Sequence, residues 1–103
     1  MPYVVTFCWY PPTVTEKVAQ KYLENLQKNP VPSYIKRVVP AANAAVKEGT
    51  EIFNVDEVKS KDLGEAFEYI NTFMLEFEEF EGFTWTIRIF STVAEGLKRI
   101  GMG

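Results

Sequence analysis

The 103-residue sequence contains no histidine and a single cysteine, and these two scarcities exclude several kinds of active site. Without histidine, neither a Ser-His-Asp nor a Cys-His site can form, and the commonest metal ligand is missing. The lone Cys8 cannot form an internal disulfide, which is typical of a protein from a reducing compartment. We expect Cys8 to be a small buried apolar residue, and we predict no metal site and no cofactor.

The chain also lacks a strongly basic surface and a long apolar run. Its net charge is -3, and neighbouring cations occur only at Lys36-Arg37 and Lys98-Arg99. Phosphate binding requires several clustered cations, so we expect no nucleic-acid partner. No run of about 18 apolar residues could cross a membrane, and the first residues have no basic leader. We therefore expect a cytoplasmic protein with no membrane partner.

Apolar and aromatic side chains, in contrast, are plentiful. Hydrophobic residues make up 47% of the chain and aromatic residues 15%, with eight phenylalanines. A chain of this length is typical of one domain, and we assign residues 1–103 to it. The aromatic surplus predicts a dense core, an interface or a ligand cavity.

Four segments have the composition and the period-two alternation of β-strands. They comprise residues 3–10, 34–39, 50–58 and 83–90. Pro40 follows the second segment and places it at a sheet edge, because proline cannot donate to a strand ladder. The small residues 41–45 extend this strand past a bulge, and Glu48-Gly49 forms the turn to the third strand.

Three amphipathic segments predict helices. Thr13 with Glu16, and Thr92 with Glu95, have the spacing of capping boxes, in which each side chain satisfies a free backbone donor. The predicted helices cover residues 13–29, residues 60 or 62 to 81, and residues 92–100.

The resulting order is β-α-β-β-α-β with a terminal helix, which predicts an α+β fold of the ferredoxin-like plan. Right-handed crossovers place both long helices on one face of a four-stranded antiparallel sheet. The first and third strands then lie in the centre, and the second lies at an edge.

The two faces of the predicted sheet differ in composition, although both contain aromatic residues and the assignment could be inverted. We expect the helices to cover Tyr3, Val5, Phe7, Trp9, Phe53, Val55, Phe83, Trp85, Ile87 and Ile89. The open face then carries Val4, Thr6, Cys8, Tyr10, Ile52, Asn54, Asp56, Thr84, Thr86, Arg88 and Phe90. Either set is too apolar for exposure to water, so we expect a second sheet to cover the open face.

This element order and strand patterning resemble the dimeric α+β barrel group, in which two ferredoxin-like protomers pack sheet on sheet. The resemblance covers nearly the whole chain and rests on no diagnostic motif. It implies a homodimer joined through the open sheet face. Members of the group, which include cofactor-free monooxygenases and lactone isomerases, often hold a ligand between sheet and helices.

Two interpretations of function remain open. The absence of a catalytic constellation, together with the large apolar surface, favours a non-enzymatic module that binds a small hydrophobic ligand or another protein. The alternative is a cofactor-independent monooxygenase or isomerase acting on a small hydrophobic molecule. The group's cofactor-free monooxygenases resemble this chain in using Asn, Trp, Tyr and Arg around an apolar pocket. The candidate ligand-binding or interface residues are Tyr10, Asn54, Asp56, Thr84, Thr86 and Arg88.

Simpler roles compete with these assignments. Arg88 can pair with Asp56 across the sheet or the dimer interface. The start of the chain also resembles the tautomerase group, in which Met removal exposes a proline whose secondary amine is a useful base. This resemblance implies a tautomerase using Pro2, although Met1 blocks the amine as long as it is present. Glu76 and Glu79 lie three residues apart and could share a hard cation, although a solvated helix face is the more ordinary role.

Overall fold

The computed structural model describes residues 1–103 as a mixed α+β fold with four strands and three helices. The strands are β1 (Tyr3–Tyr10), β2 (Ile35–Val46), β3 (Gly49–Val58) and β4 (Thr84–Phe90). The helices are α1 (Thr15–Lys28), α2 (Leu63–Leu75) and α3 (Val93–Arg99). None of the helices is both long enough and apolar enough to span a membrane.

The strands form one antiparallel sheet in the order β2-β3-β1-β4. As the sequence predicted, β1 and β3 lie in the centre and β2 lies at an edge. The predicted bulge in β2 is present, since its register with β3 shifts on both sides of Val39. Beyond Pro40, Ala41 adopts a positive φ of 41°, and its N–H donates to Asn54 Oδ1 at 2.6 Å.

The helix ends depart from the sequence predictions in two places. Thr13 does not cap α1, because a short 3-10 turn over Pro12–Val14 precedes the helix and no side chain caps it. The second helix ends at Leu75, six residues early, and turns follow to Gly82. Four glutamates between residues 76 and 81 would oppose the negative end of the helix dipole there. The capping box of Thr92 and Glu95 is confirmed, with bonds of 2.8 and 3.1 Å.

The predicted division of the sheet into two faces is right for β4 and wrong for β1 and β3. The cross-strand pairs Thr6–Ile87 and Cys8–Trp85 place the even-numbered residues of β1 on the same face as the odd-numbered residues of β4. This shared face is the one that packs against α1 and α2. It contributes Val4, Cys8, Tyr10, Val58 and Phe83 to the buried core, with Ile52, Trp85 and Ile87 packed beside them.

The opposite face of the sheet, which we call the open face, lies away from α1 and α2. It carries Tyr3, Val5, Phe7, Trp9, Phe53, Val55, Thr84, Thr86, Arg88 and Phe90. Phe7 packs between Trp9 and Phe53, with ring centroids 6.1 and 6.0 Å away. The open face therefore presents an aromatic cluster instead of the polar surface that usually faces water.

Candidate functional site

A cavity of about 170 Å³ lies between the sheet and the two long helices. Strands β1, β2 and β3 form one wall, and α1 and α2 form the other, with Phe83 at one end. Eleven of its fourteen lining residues are hydrophobic, and the other three are Thr6, Asn43 and Asn54. No charged side chain lines it, so the cavity favours an uncharged occupant.

The burial of the lining residues shows which end of the cavity is open. Cys8, Phe77 and Phe83 are buried, whereas Ala19 on α1 and Asn43 on β2 are exposed. The mouth therefore lies between α1 and the edge strand β2, next to the bulge at Ala41. This bulge explains how an edge strand leaves an opening, because it breaks the regular ladder at that point.

Aromatic rings form much of the inner wall. The rings of Phe77 and Phe83 are nearly parallel, with centroids 5.0 Å apart and planes at 14°. Tyr10 is parallel to Phe83 within 5° at 6.1 Å. Phe73 continues this series from α2, 6.0 Å from Phe77. Such a wall suits a flat apolar molecule, because aromatic rings attract one another in offset stacked arrangements.

The lining has three polar residues, Thr6, Asn43 and Asn54, and their hydrogen bonds differ. Asn54 Oδ1 accepts the N–H of Ala41, and Asn43 Nδ2 donates to the carbonyl of Ala41 at 3.2 Å. Thr6 is only 2% exposed, and its hydroxyl makes no hydrogen bond within the protein. A buried hydroxyl without a partner is unusual in native structures, and this one has less than 1 Å² of accessible surface.

Two ionisable groups in the cavity remain neutral. Burial raises the pKa of the Cys8 thiol from its ordinary 9.0 to about 12, so Cys8 is not a thiolate nucleophile. Its burial agrees with the role predicted from the sequence. Burial also raises the pKa of Tyr10. The cavity therefore offers neither a nucleophile nor a general base in its ionised form.

A buried ion pair lies on the same face of the sheet, outside the cavity lining. Asp56 is fully buried and accepts from Arg37 Nε at 2.8 Å and Nη2 at 3.1 Å. Burial lowers the pKa of Arg37, but the hydrogen bond and charge of Asp56 more than offset this, and the net change is upward. The pairing of Asp56 with Arg88 expected from the sequence does not form. Arg88 lies on the open face, 4.8 Å from the ring centroid of Phe90.

The structure thus divides the site residues predicted from the sequence. Tyr10 and Asn54 line the cavity, and Asp56 serves the ion pair beside it. The other three, Thr84, Thr86 and Arg88, lie on the open face. The sequence analysis did not single out Thr6, although a hydroxyl between Val4 and Cys8 on an apolar strand face was a usable signal.

The remaining candidates lie outside the cavity. The carbonyl of Pro2 accepts the N–H of Val58 at 3.2 Å, and Pro2 is not part of the lining. Glu79 forms an ion pair with Lys21 at 3.1 Å. No group of three or more acidic or cysteine side chains is close enough together to hold a metal ion.

Comparisons with known proteins give one match. No protein-family model and no curated protein matches the chain. Among solved structures, it is similar to the de novo designed protein Foldit4, with a TM-score of 0.55 and 5% sequence identity. The similarity covers 88% of this chain and 96% of the designed one. At this identity the likeness shows the fold alone.

Proposed function

We propose that this protein is a binding module that holds a small, neutral, apolar molecule between its sheet and its helices. We further propose that it is a homodimer of ferredoxin-like protomers, of the dimeric α+β barrel kind, joined through the open face. The observation that carries the proposal is the uncharged, aromatic-walled cavity with its mouth beside α1.

The size of the cavity supports a binding role. Protein interiors are close-packed and contain few voids larger than a water molecule. This cavity of about 170 Å³ is far larger than such a void. An apolar cavity of about 150 Å³ is large enough for benzene, so the occupant is about one aromatic ring in size.

The shape of the protomer supports a partner on the open face. Its radius of gyration is 15.0 Å, against about 13 Å for a domain of this length. Its accessible surface is 6762 Å², against about 5,900 Å² for a typical 11.8 kDa monomer. The excess of about 850 Å² is close to the roughly 800 Å² that each partner buries in a standard interface. A second copy packed sheet on sheet would cover this excess.

The positions of two polar residues favour binding over catalysis. The alternative, a cofactor-independent monooxygenase or isomerase, relied on Asn54 and Arg88 acting together. Asn54 lines the cavity, whereas Arg88 lies on the other face of the sheet above Phe90. A single protomer therefore does not bring the amide and the guanidinium to one ligand.

Toluene is a suitable probe for the cavity, with amide chemical shifts and melting temperature as the readouts. In the wild-type protein, we expect toluene to shift the amide signals of Cys8, Phe77 and Phe83 and to raise the melting temperature. Ala19→Trp places a large ring at the mouth and should abolish both effects. Gln20→Trp is the matched control, because Gln20 is the exposed neighbour of Ala19 and lies outside the lining. A wild-type protein that shows no response to toluene would refute the binding role.

Light scattering tests the dimer independently. We expect a mass of about twice 11.8 kDa for the wild type and a monomer for Thr86→Asp, which places a charge within the proposed interface. Leu23→Asp is the matched control, because Leu23 is 63% exposed on α1 and lies away from the open face. A monomeric wild type, or a Thr86→Asp dimer, would contradict the assignment.

A further inference from the structure

The sheet has two edge strands, β2 and β4, and they differ in how far they block further pairing. In β2, Pro40 cannot donate to a neighbouring strand, and the register shifts twice close to Ala41, the residue of positive φ. In β4 the register with β1 is continuous from Thr84 to Phe90, and the strand contains no proline, glycine or bulge. Such an edge is usually protected in native proteins, because its free N–H and C=O groups can bind another strand.

The hydrogen bonds of β1 show which backbone groups of β4 are free. The N–H of Val58 donates to the carbonyl of Pro2 in continuation of the β1–β3 register, so the even-numbered residues of β1 bond to β3. The odd-numbered residues of β1 therefore bond to β4, through the even-numbered residues that lie opposite them. The N–H and C=O groups of Trp85, Ile87 and Ile89 then point away from the sheet, and no turn, loop or cap hydrogen bond uses them.

We propose that this free edge pairs antiparallel with β4 of a second copy of the chain, about a two-fold axis at Ile87. Ile87 then lies opposite the partner's Ile87, and Trp85 lies opposite the partner's Ile89. In this register every outward-facing residue of one strand meets an outward-facing residue of the other, so all their N–H and C=O groups are bonded. The inference goes beyond the proposed function, because the contact is made by the edge of the sheet and not by the cavity or the open face.

The side chains of β4 favour the same register. On the face that includes the core, Trp85 would lie beside the partner's Ile89, and aromatic and β-branched neighbours stabilise paired strands. Ile89 is 56% exposed in the single chain, and this contact would cover it. On the open face, Arg88 would lie opposite the partner's Thr86. An axis at Arg88 would instead place two guanidinium groups opposite each other, which is unfavourable.

The narrowness of the contact sets its strength. A strand of seven residues is about 23 Å long. A contact one strand wide covers much less than the roughly 800 Å² that each partner buries in a standard interface. We therefore expect edge pairing at millimolar protein concentration and none at micromolar concentration, where the masses expected by light scattering are unaffected.

A single cysteine tests the register, because a residue on the two-fold axis meets its own copy. The Cα atoms of a hydrogen-bonded antiparallel pair are about 5.5 Å apart, which is within the range of a disulfide. Ile87→Cys should therefore form a covalent dimer under mild oxidation, and the buried Cys8 does not compete. Ile89→Cys is the matched control, because it would lie four residues, about 13 Å along the strand, from its own copy. It should not cross-link, although Ile89 is more exposed than Ile87.

Sedimentation from micromolar to millimolar concentration tests the association itself. We expect the mean mass of the wild type at millimolar concentration to approach or exceed twice its micromolar value. Ile89→Lys places a charge on the edge and should abolish this rise. Val93→Lys is the matched control and should keep it, because Val93 is 80% exposed on α3, outside the strand. The micromolar mass reports the sheet-on-sheet dimer alone, so the two contacts are tested separately.

Three results would overturn the edge pairing. The first is a wild-type mass that does not change with concentration. The second is an unchanged rise in mass for Ile89→Lys. The third is cross-linking of Ile89→Cys at least as fast as that of Ile87→Cys, which would show that exposure and not register decides the reaction.

Discussion

The buried pair of Asp56 and Arg37 gives the sharpest quantitative prediction about stability. The Asp56 carboxylate is fully buried, the Arg37 side chain is 15% exposed, and two hydrogen bonds of 2.8 and 3.1 Å join them. Asp56→Leu removes the anion and leaves a mostly buried guanidinium without a partner. Breaking a buried pair in this way costs about 3–5 kcal/mol. Because Arg37 retains some contact with water, we expect about 3 kcal/mol.

Replacing both partners should have a much smaller effect. Arg37→Met combined with Asp56→Leu removes both charges and keeps most of the buried volume. Such replacements of buried pairs are often neutral or stabilising. We therefore expect the double variant to lie within about 1 kcal/mol of the wild type, which gives a coupling energy of several kcal/mol. Lys21→Met is the matched control, and it should have little effect on the free energy of unfolding because Lys21 pairs with Glu79 at the surface, where Glu79 is 61% exposed.

Urea denaturation followed by tryptophan fluorescence measures these differences. Protein concentration must be held constant, because the stability of a dimer depends on it. The pairing would be refuted if the destabilisation of the double variant equalled the sum of the two single destabilisations within about 0.5 kcal/mol. A large coupling between positions 56 and 88 would instead support the pairing predicted from the sequence.

Two further predictions concern a buried thiol and two glycines. The pKa of the Cys8 thiol is 9.0 in the unfolded chain and about 12 in the folded protein. Above pH 9 the unfolded chain loses the thiol proton while the folded protein keeps it, so the free energy of unfolding falls as the pH rises. Equilibrium unfolding should show a loss of about 1.4 kcal/mol between pH 8 and pH 10 that Cys8→Ala lacks; an identical pH profile would contradict the burial of the thiol. Gly49 has a φ of 142°, and a Cβ there would collide with the carbonyl oxygen of Tyr10. Gly49→Ala should therefore lower the free energy of unfolding by more than about 2 kcal/mol, whereas Gly64→Ala, which faces open space in α2, should raise it by roughly 0.5–1 kcal/mol. Equal melting temperatures for the two glycine variants would refute this difference.

The positions of the strands and helices could be predicted from the sequence because they depend on local patterns. Alternation, prolines and turn residues are readable within a single segment, and they located four strands and three helices close to their observed bounds. The end of α2 was missed by six residues, since its apolar stripe continues to Phe80 while the structure ends the helix at Leu75. There the repulsion between the glutamates and the helix dipole outweighs the apolar pattern.

The faces of the sheet could not be assigned from the sequence, because the assignment depends on the register between neighbouring strands. Each of β1, β3 and β4 alternates clearly, but alternation within a strand does not say which of its sides meets which side of the next strand. The pair Cys8–Trp85 decides this, and it belongs to the tertiary structure. The predicted site contains the same error, because it combines Thr84 and Arg88 with Asn54, which lies on the opposite face of the sheet.

The wrong assignment of β1 and β3 also concerns three polar residues of these central strands. The sequence analysis placed Thr6, Asn54 and Asp56 on the open face. In the structure all three lie on the helix-covered face. Asp56 holds Arg37, and Asn54 holds the N–H of Ala41 at the bulge. Thr6 alone has no partner in the protein. Two of these three buried polar side chains are therefore satisfied within the fold, as buried polar groups usually are, and the Thr6 hydroxyl is the exception.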